Sequence, residues 1–419
     1  MNKNHKTVMV DAIGGRLRLP QTLAFLLFPM SLFLAQNFAT AEPYIPQSEY
    51  QVLDSLPANF LSLFKEDDFS NRQIKRHTVS AEQWDELQND LVTAYLDKAK
   101  VSGDMRYISY SENRLKSWLE VSPKSENARL LDASIKQYNH ELSVAIQILE
   151  SLLDEHPNNN KAWSLLSNLQ LLTGNYSSAK NSCRQLSASS SLTDAIVCQS
   201  NIMIRTGDLD KADKALKTLL PMINTMPVQG QIWLYTSLVE INIQHGYDKQ
   251  AKDYIDQALK LVADNNLNDN YLMRIHVDYL VDRSQLKQAF NLIKDKKNDS
   301  SIMIRSAIIA KKLGYTTIYE KNKITLTQMF EVENRRGQSL HLREQALFTL
   351  LILNKPEAAY AIAQKNWALQ KEQEDARVLL KSVLSTGDKY QIHKVQAEIN
   401  KTGLVDQRLE IQRLSESIL

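Results

Sequence analysis

The apolar and polar positions of this chain repeat on two scales. Within short segments the apolar residues follow helical spacing, three and four apart, and the segments themselves recur. LLTGNYSSAKNSCRQL at 171–186 is followed by MIRTGDLDKADKALKTL at 203–219. Aligned on Gly-[Asn/Asp]-[Tyr/Leu]-x-x-Ala, their alanines, Ala179 and Ala212, stand 33 residues apart. Steps of 34 backwards reach Ala145 and then Ser111. Forwards, the phrase returns with Ala251 and again with Ala289, where Ser284 takes the place of glycine. A fixed period in the thirties predicts a stacked array of helix pairs.

The residue types explain the phrase. Gly174, Gly207 and Gly246 are expected to end a helix at positive φ, which glycine adopts without steric cost. Asn175 and Asp208 then supply side-chain oxygens to cap the next helix. The small residue five positions after the glycine lets two antiparallel helices approach. Twelve residues upstream of the small residues stand Ala99, Ala133, Ser167 and Ser200, small again, on the facing helix. Twelve downstream of Ser111 and Ala145 stand Pro123 and Pro157, which stop the second helix.

This pattern resembles the tetratricopeptide repeat (TPR) family, W-x2-L-G-x2-Y, then A-x3-F, then P. The fullest repeat has Trp163, Leu166 and Ala179 in place, with Ser167 for Gly, Gln170 for Tyr and Cys183 for Phe. Repeats are expected at about 92–125, 126–159, 160–192, 193–226, 232–265 and 270–303. Helices or turns should lengthen at the 39- and 38-residue steps. TPR-like repeats thus span 80–303, and divergent ones 304–419. The latter comprise a repeat running into a long polar helix, helix pairs at 342–367 and 375–399, and a capping helix near 405–417. The chain, NWALQKEQEDARVLL at 366–380 included, also looks like a group of exported bacterial TPR proteins. The resemblance implies an all-α fold: a right-handed superhelical solenoid of antiparallel helix pairs.

Composition agrees with helices, since 419 residues hold only 11 Gly and 10 Pro, fewer than an all-β chain uses in turns. At the N-terminus, Lys3, Lys6, Arg16 and Arg18 precede the apolar run TLAFLLFPMSLFLA at 22–35, and Ala39-Thr40-Ala41 has a signal-peptidase pattern. Residues 1–41 are therefore expected to be a signal peptide cut before Glu42, leading to the periplasm. The competing expectation is an uncleaved anchor holding the protein at the inner membrane; the run is short for a bilayer span and Pro29 interrupts it. Removing the leader takes four basic residues and one acid, leaving 46 Lys+Arg against 47 Asp+Glu. Nothing in that balance calls for nucleic acid. Residues 42–79 lack periodicity and are expected to form an extended arm, able to fill the groove itself. SAEQ at 80–83 then opens the first helix as a capping box.

Cys183 and Cys198 flank the turn SASSSLTD at 187–194 and come face to face if their helices are antiparallel. An exported protein with two cysteines favours a disulfide; the alternative is two buried thiols.

The sequence shows no P-loop, GxGxxG, GxSxG or HExxH motif and no metal-ligand spacing among its eight histidines. No catalytic, cofactor or metal residue is therefore assigned. His156 and His245 belong near helix C-termini, where positive charge is favoured. By resemblance, the first helix of each TPR repeat lines a groove. Its ninth position gives Lys100, Ser134, Asn168, Asn201, Glu240 and Asp278, with Arg205 at position 13 of the fourth repeat and Tyr271 and Arg274 on the sixth. Asn168 and Asn201 are suited to a peptide backbone. Position 5 holds Leu130, Ser164, Val197 and Thr236 rather than the lysine of a carboxylate clamp. Trp163, Trp233 and Trp367 are expected in the core. The functional expectation is a non-catalytic periplasmic scaffold that binds a peptide segment or an envelope protein. The alternative is a cell-wall or glycan-acting enzyme, or a regulator of one, which needs a carboxylate pair that the sequence does not display.

Overall fold

The computed structural model describes residues 80–102, 106–296, 299–335 and 341–417. The leader and the 42–79 arm lie outside the described residues. Within them the chain forms nineteen α-helices and no strand. The first two pairs are α1 (Ala81–Ser102) with α2 (Arg106–Val121), and α3 (Glu126–Tyr138) with α4 (Leu142–Glu155). Next come α5 (Asn160–Leu172) with α6 (Tyr176–Ser189), α7 (Leu192–Arg205) with α8 (Leu209–Lys217), and α9 (Val228–His245) with α10 (Asp248–Asp264). They are followed by α11 (Asn270–Asp282) with α12 (Leu286–Ile293) and α13 (Ser300–Leu313) with α14 (Thr316–Arg335). The last pairs are α15 (Leu342–Leu351) with α16 (Pro356–Leu369) and α17 (Gln373–Thr386) with α18 (Lys389–Thr402), before the short α19 (Ile411–Glu416).

Eight of these pairs turn on a residue in the left-handed region: His140, Gly174, Gly207, Gly246, Ser284, Gly314, Asn354 and Gly387, with φ between +54° and +84°. The hinge is thus a backbone requirement, met by Gly, Asn, His or Ser; Ser284, at +59°, stands where the phrase predicted a stand-in for glycine. Five residues on, Ala145, Ala179, Ala212, Ala251 and Ala289 are wholly buried, as are Ala133 and Ser200 opposite. The small residues therefore sit where the helices of a pair press together. The 39-residue step contains an extra 3-10 turn, Leu220–Thr225, and the 18-residue α9; the 38-residue step contains the 17-residue α10.

Caps close the helix starts. Ser80 and Gln83 form the expected box, with Ser80 Oγ accepting from Gln83 N (3.2 Å) and Gln83 Oε1 accepting from Ser80 N (3.0 Å). Asn159, Asn175 and Asp269 each accept a backbone N–H of the first turn. Asp208 departs from expectation. Its carboxylate accepts from Lys211 Nζ at 2.9 Å and leaves the first turn of α8 without a side-chain cap.

First helices touch the first helix of the next pair: α3 meets α5, α5 meets α7, and so on from α9 through α17. They therefore line the inner face of the stack. A continuous apolar core runs from Leu171 and Cys183 through Ile304 and Trp367 to Leu404 and Leu414. Trp163 and Trp233 pack half-buried against core clusters, and Trp163 Nε1–H donates to Pro157 O (2.8 Å). The expected capping helix at 405–417 is instead an extended turn, a 3-10 turn (Gln407–Leu409) and the two-turn α19. Asp406 explains the break: its carboxylate accepts from the N–H of Arg408, capping the 3-10 turn. α19 lies on α17, with Leu414 buried and Lys381 Nζ donating to Ser417 O (2.8 Å).

Candidate functional site

The inner face divides into two stretches of different chemistry. At the ninth positions of α3, α5 and α7 it is neutral. Ser134 Oγ donates to Leu130 O within its own helix (3.0 Å). Asn168, exposed, and Asn201, half-buried, make no side-chain hydrogen bond among the described residues. Ser164 and Val197 stand one helical turn before them, so each repeat offers a small or apolar residue beside a polar one. The Lys100 side chain lies outside what is described.

From Arg205 onward the face is charged and bonded within the chain. Arg205 Nη2 lies 3.8 Å from Glu372, whose other oxygen is 2.6 Å from Arg343 Nη2. Arg343 Nε donates to Asp375 at 2.6 Å, and the fully buried Asp375 also accepts from Asn366 (2.7 Å). Glu374 pairs with Arg408 (3.0 Å) and Arg377 (3.2 Å), and Arg408 with Asp406 (2.6 Å). Asp278 takes two 2.6 Å bonds from Arg305. Tyr271 donates its hydroxyl to Glu240, and the Arg274 guanidinium stacks over the Tyr271 ring, 4.9 Å from its centre. Burial pushes the Glu374 carboxyl upward, but Arg377 and Arg408 more than reverse this and hold it well below the usual range. For Glu240, burial outweighs the hydroxyl of Tyr271 and the net shift is upward.

Of the residues read from sequence, Asn168 and Asn201 thus stand open in adjacent repeats. Arg205, Glu240, Tyr271, Arg274 and Asp278 lie on the same inner face in contact with other side chains of the chain. Arg343, Glu372, Glu374 and Arg408 join them without having been singled out by the repeat pattern. Arg343 belongs to the first turn of α15, whereas Glu372, Glu374 and Arg408 come from the two stretches that cross the inner face, 370–375 and 404–408. There Lys371 N–H donates to Leu172 O (2.6 Å) and Val405 N–H to Arg205 O (2.9 Å).

Beside the neutral stretch, Cys183 of α6 and Cys198 of α7 are joined in a disulfide, Cα to Cα 5.6 Å, and both are buried. It ties one repeat to the next. Gln170, standing where the TPR pattern has tyrosine, accepts from Ser182 Oγ at 2.7 Å inside the pair. The fullest repeat therefore replaces an aromatic contact by a buried hydrogen bond and a covalent link. His156 follows the last residue of α4 and His245 ends α9, as expected. Among the described residues no cluster of three metal-ligating side chains occurs, and no helix is long and apolar enough to cross a membrane.

No family model matches the chain, and no curated protein matches it. Solved structures are similar at low identity. One is a tetratricopeptide repeat protein from Parabacteroides merdae, 15% identical, covering 59% of this chain and 99% of that one, TM-score 0.45. A second is a chain of the APC/C hetero-tetramer Cut9-Hcn1, 15% identical, TM-score 0.44; it covers 76% of this chain, which spans 59% of its length. A third is pilF of Pseudomonas aeruginosa, 15% identical, covering 59% and 92%, TM-score 0.31. By its own helix pairs, hinges and inner face, the chain is a TPR-like all-α solenoid.

Proposed function

We propose that the protein is a non-catalytic interaction scaffold of the periplasm that reads an extended segment of a partner protein along α3, α5 and α7. The observation that carries this is the pair Asn168 and Asn201. Their amides stand in adjacent repeats on the inner face and make no side-chain hydrogen bond among the described residues, whereas Glu240 and Asp278 at the same position of later repeats are bonded to Tyr271 and Arg305. A primary amide both donates and accepts, which matches a peptide backbone whatever its side chains. A rigid stack presents the strip preformed, so little ordering opposes binding. The leader-like N-terminus and the disulfide support an oxidising, exported setting. The carboxylates an enzyme reading would need, Glu240, Asp278, Glu372, Glu374 and Asp375, all have Arg or Tyr partners, which favours the scaffold.

In-cell crosslinking followed by affinity purification tests this. A protein partner recovered with the wild type should be lost from Asn168→Ala/Asn201→Ala. A partner held equally by both would place recognition elsewhere and overturn the assignment. N-terminal sequencing of the exported protein should begin at Glu42; a sequence starting at Met1 would replace the free periplasmic form by an anchored one.

A further inference from the structure

The two backbone contacts that cross the inner face are one contact made twice. Leu172 and Arg205 each lie two residues before a hinge glycine, Gly174 and Gly207. Both offer a carbonyl from the last turn of a first helix, where no intrahelical donor remains. The donors, Lys371 and Val405, are themselves 34 residues apart, one repeat. A later pair of repeats thus docks on an earlier pair in register.

The hinges are shaped for the visitor. A Cβ on Gly174 would lie 2.9 Å from Lys371 Cδ, and one on Gly207 would lie 2.6 Å from Val405 Cγ1. At Gly246, Gly314 and Gly387, with the same left-handed backbone, nothing lies within 4 Å. Glycine at 174 and 207 therefore serves close approach as well as the turn. Beside the first dock, Glu372 lies between Arg205 (3.8 Å) and Arg343 (2.6 Å), and Gln373 Nε2 donates to Ile204 O (3.3 Å).

We infer that the inner face at the ends of α5 and α7 is a recognition site for an extended acidic segment, and that residues 370–372 and 404–406 fill it as an internal ligand. What holds them is a backbone N–H on a hinge carbonyl and a carboxylate on arginine, groups that any extended acidic peptide carries. An outside segment of that chemistry competes for the same carbonyls and for Arg205. This site lies one helical turn beyond the Asn168 and Asn201 strip, with Arg205 Nη1 donating to Asn201 O (3.2 Å), and its test reads exchange and peptide binding rather than partner capture.

The test uses the full-length protein with Gly207→Asn, since asparagine tolerates the left-handed hinge while its Cβ meets Val405. Gly246→Asn is the control with the same hinge and open space. Amide hydrogen exchange over 368–376 and 403–410 should quicken at least tenfold in Gly207→Asn and stay at the wild-type rate in Gly246→Asn. A labelled synthetic peptide of residues 369–376 should bind Gly207→Asn at least tenfold more tightly than wild type. The same peptide carrying Glu372→Gln should lose that gain, since Glu372 is the carboxylate beside Arg205. Val405→Asp, at a side chain 46% exposed, is the second opening variant should Gly207→Asn not fold. Exchange that quickens without peptide binding would overturn the recognition site. Unchanged exchange in both opening variants, or an equal rise in Gly246→Asn, would overturn the dock as an exchangeable contact.

Discussion

The stretch α3–α7 and the stretch α9–α17 are built from the same helix pair, yet use the inner face in opposite ways. In the first, the ninth positions hold Ser134, Asn168 and Asn201, neutral and, among the described residues, without a side-chain bond to another helix. In the second they hold Glu240 and Asp278, both bonded within the chain. The difference separates two roles of one architecture. A repeat stack is stabilised pair by pair through its small-residue contacts, so its inner face is free either to meet a partner or to hold the stack closed. Here the later repeats take the second option at their ninth positions, and in the earlier repeats the chain covers only the helix ends at Leu172 and Arg205. Mutations should therefore damage stability in one stretch and recognition in the other.

The largest effect is expected at Arg343. Replacing it by Leu strands the carboxylate of Asp375, whose side chain is fully buried, and loss of one partner of such a pair costs about 3–5 kcal/mol. Denaturant unfolding should show that loss, and Arg343→Leu/Asp375→Asn should regain much of it. A full-strength single variant would break the claim that this network holds the closed stretch.

Acid should act on the same stretch through His276 of α11. It is buried, neither ring nitrogen has a hydrogen-bond partner among the described residues, and burial, aided by Lys252 and opposed by Asp256, lowers its pKa from 6.5 to about 4. The unfolded chain takes up this proton near pH 6.5 and the folded chain only near pH 4. Its contribution is thus complete above pH 6.5 and disappears as pH falls to about 4, a loss of about 3 kcal/mol from this group. His276→Phe should flatten the stability profile over that window; an unaltered profile would assign the acid sensitivity elsewhere.

In the open stretch, reduction of Cys183–Cys198 releases a link between residues 15 apart, worth about 3 kcal/mol in the chain-entropy account. Thermal unfolding with and without reductant measures it, and Cys183→Ala/Cys198→Ala should match the reduced protein. Asn168→Ala should be smallest of all, within about 0.5 kcal/mol of wild type, as for exposed positions without partners. A larger loss would mean that this face also holds the stack together, and the contrast would fail.

The hinges were legible because a left-handed residue, a small residue five positions on and another on the facing helix are local demands that recur. Even Ser284 and the two cysteines followed from register. The closure was not, since nothing in the neighbourhood of Leu172 announces a donor at Lys371. The position rule that named Arg205, Glu240 and Asp278 supposes an empty groove, and sequence periodicity carries no information on whether later repeats fill it. One sign was present, the acidic run Glu372-Gln373-Glu374-Asp375 at the start of α17, but its cations are spread over Arg205, Arg343, Arg377 and Arg408. Asp208 shows the same limit at short range: a capping residue and a lysine three positions on compete for one carboxylate.

Lys371 and Val405 meet carbonyls about 200 residues earlier in the chain, and that separation orders events during synthesis. Neighbouring helix pairs are close in sequence and form quickly as they emerge, whereas bringing together ends so far apart is slow and comes after the intervening pairs exist. The carbonyls of Leu172 and Arg205 therefore face water while the ribosome makes the second half. Leu172 is covered once the chain passes Lys371 and Arg205 once it passes Val405, so a product truncated before residue 371 leaves both carbonyls uncovered.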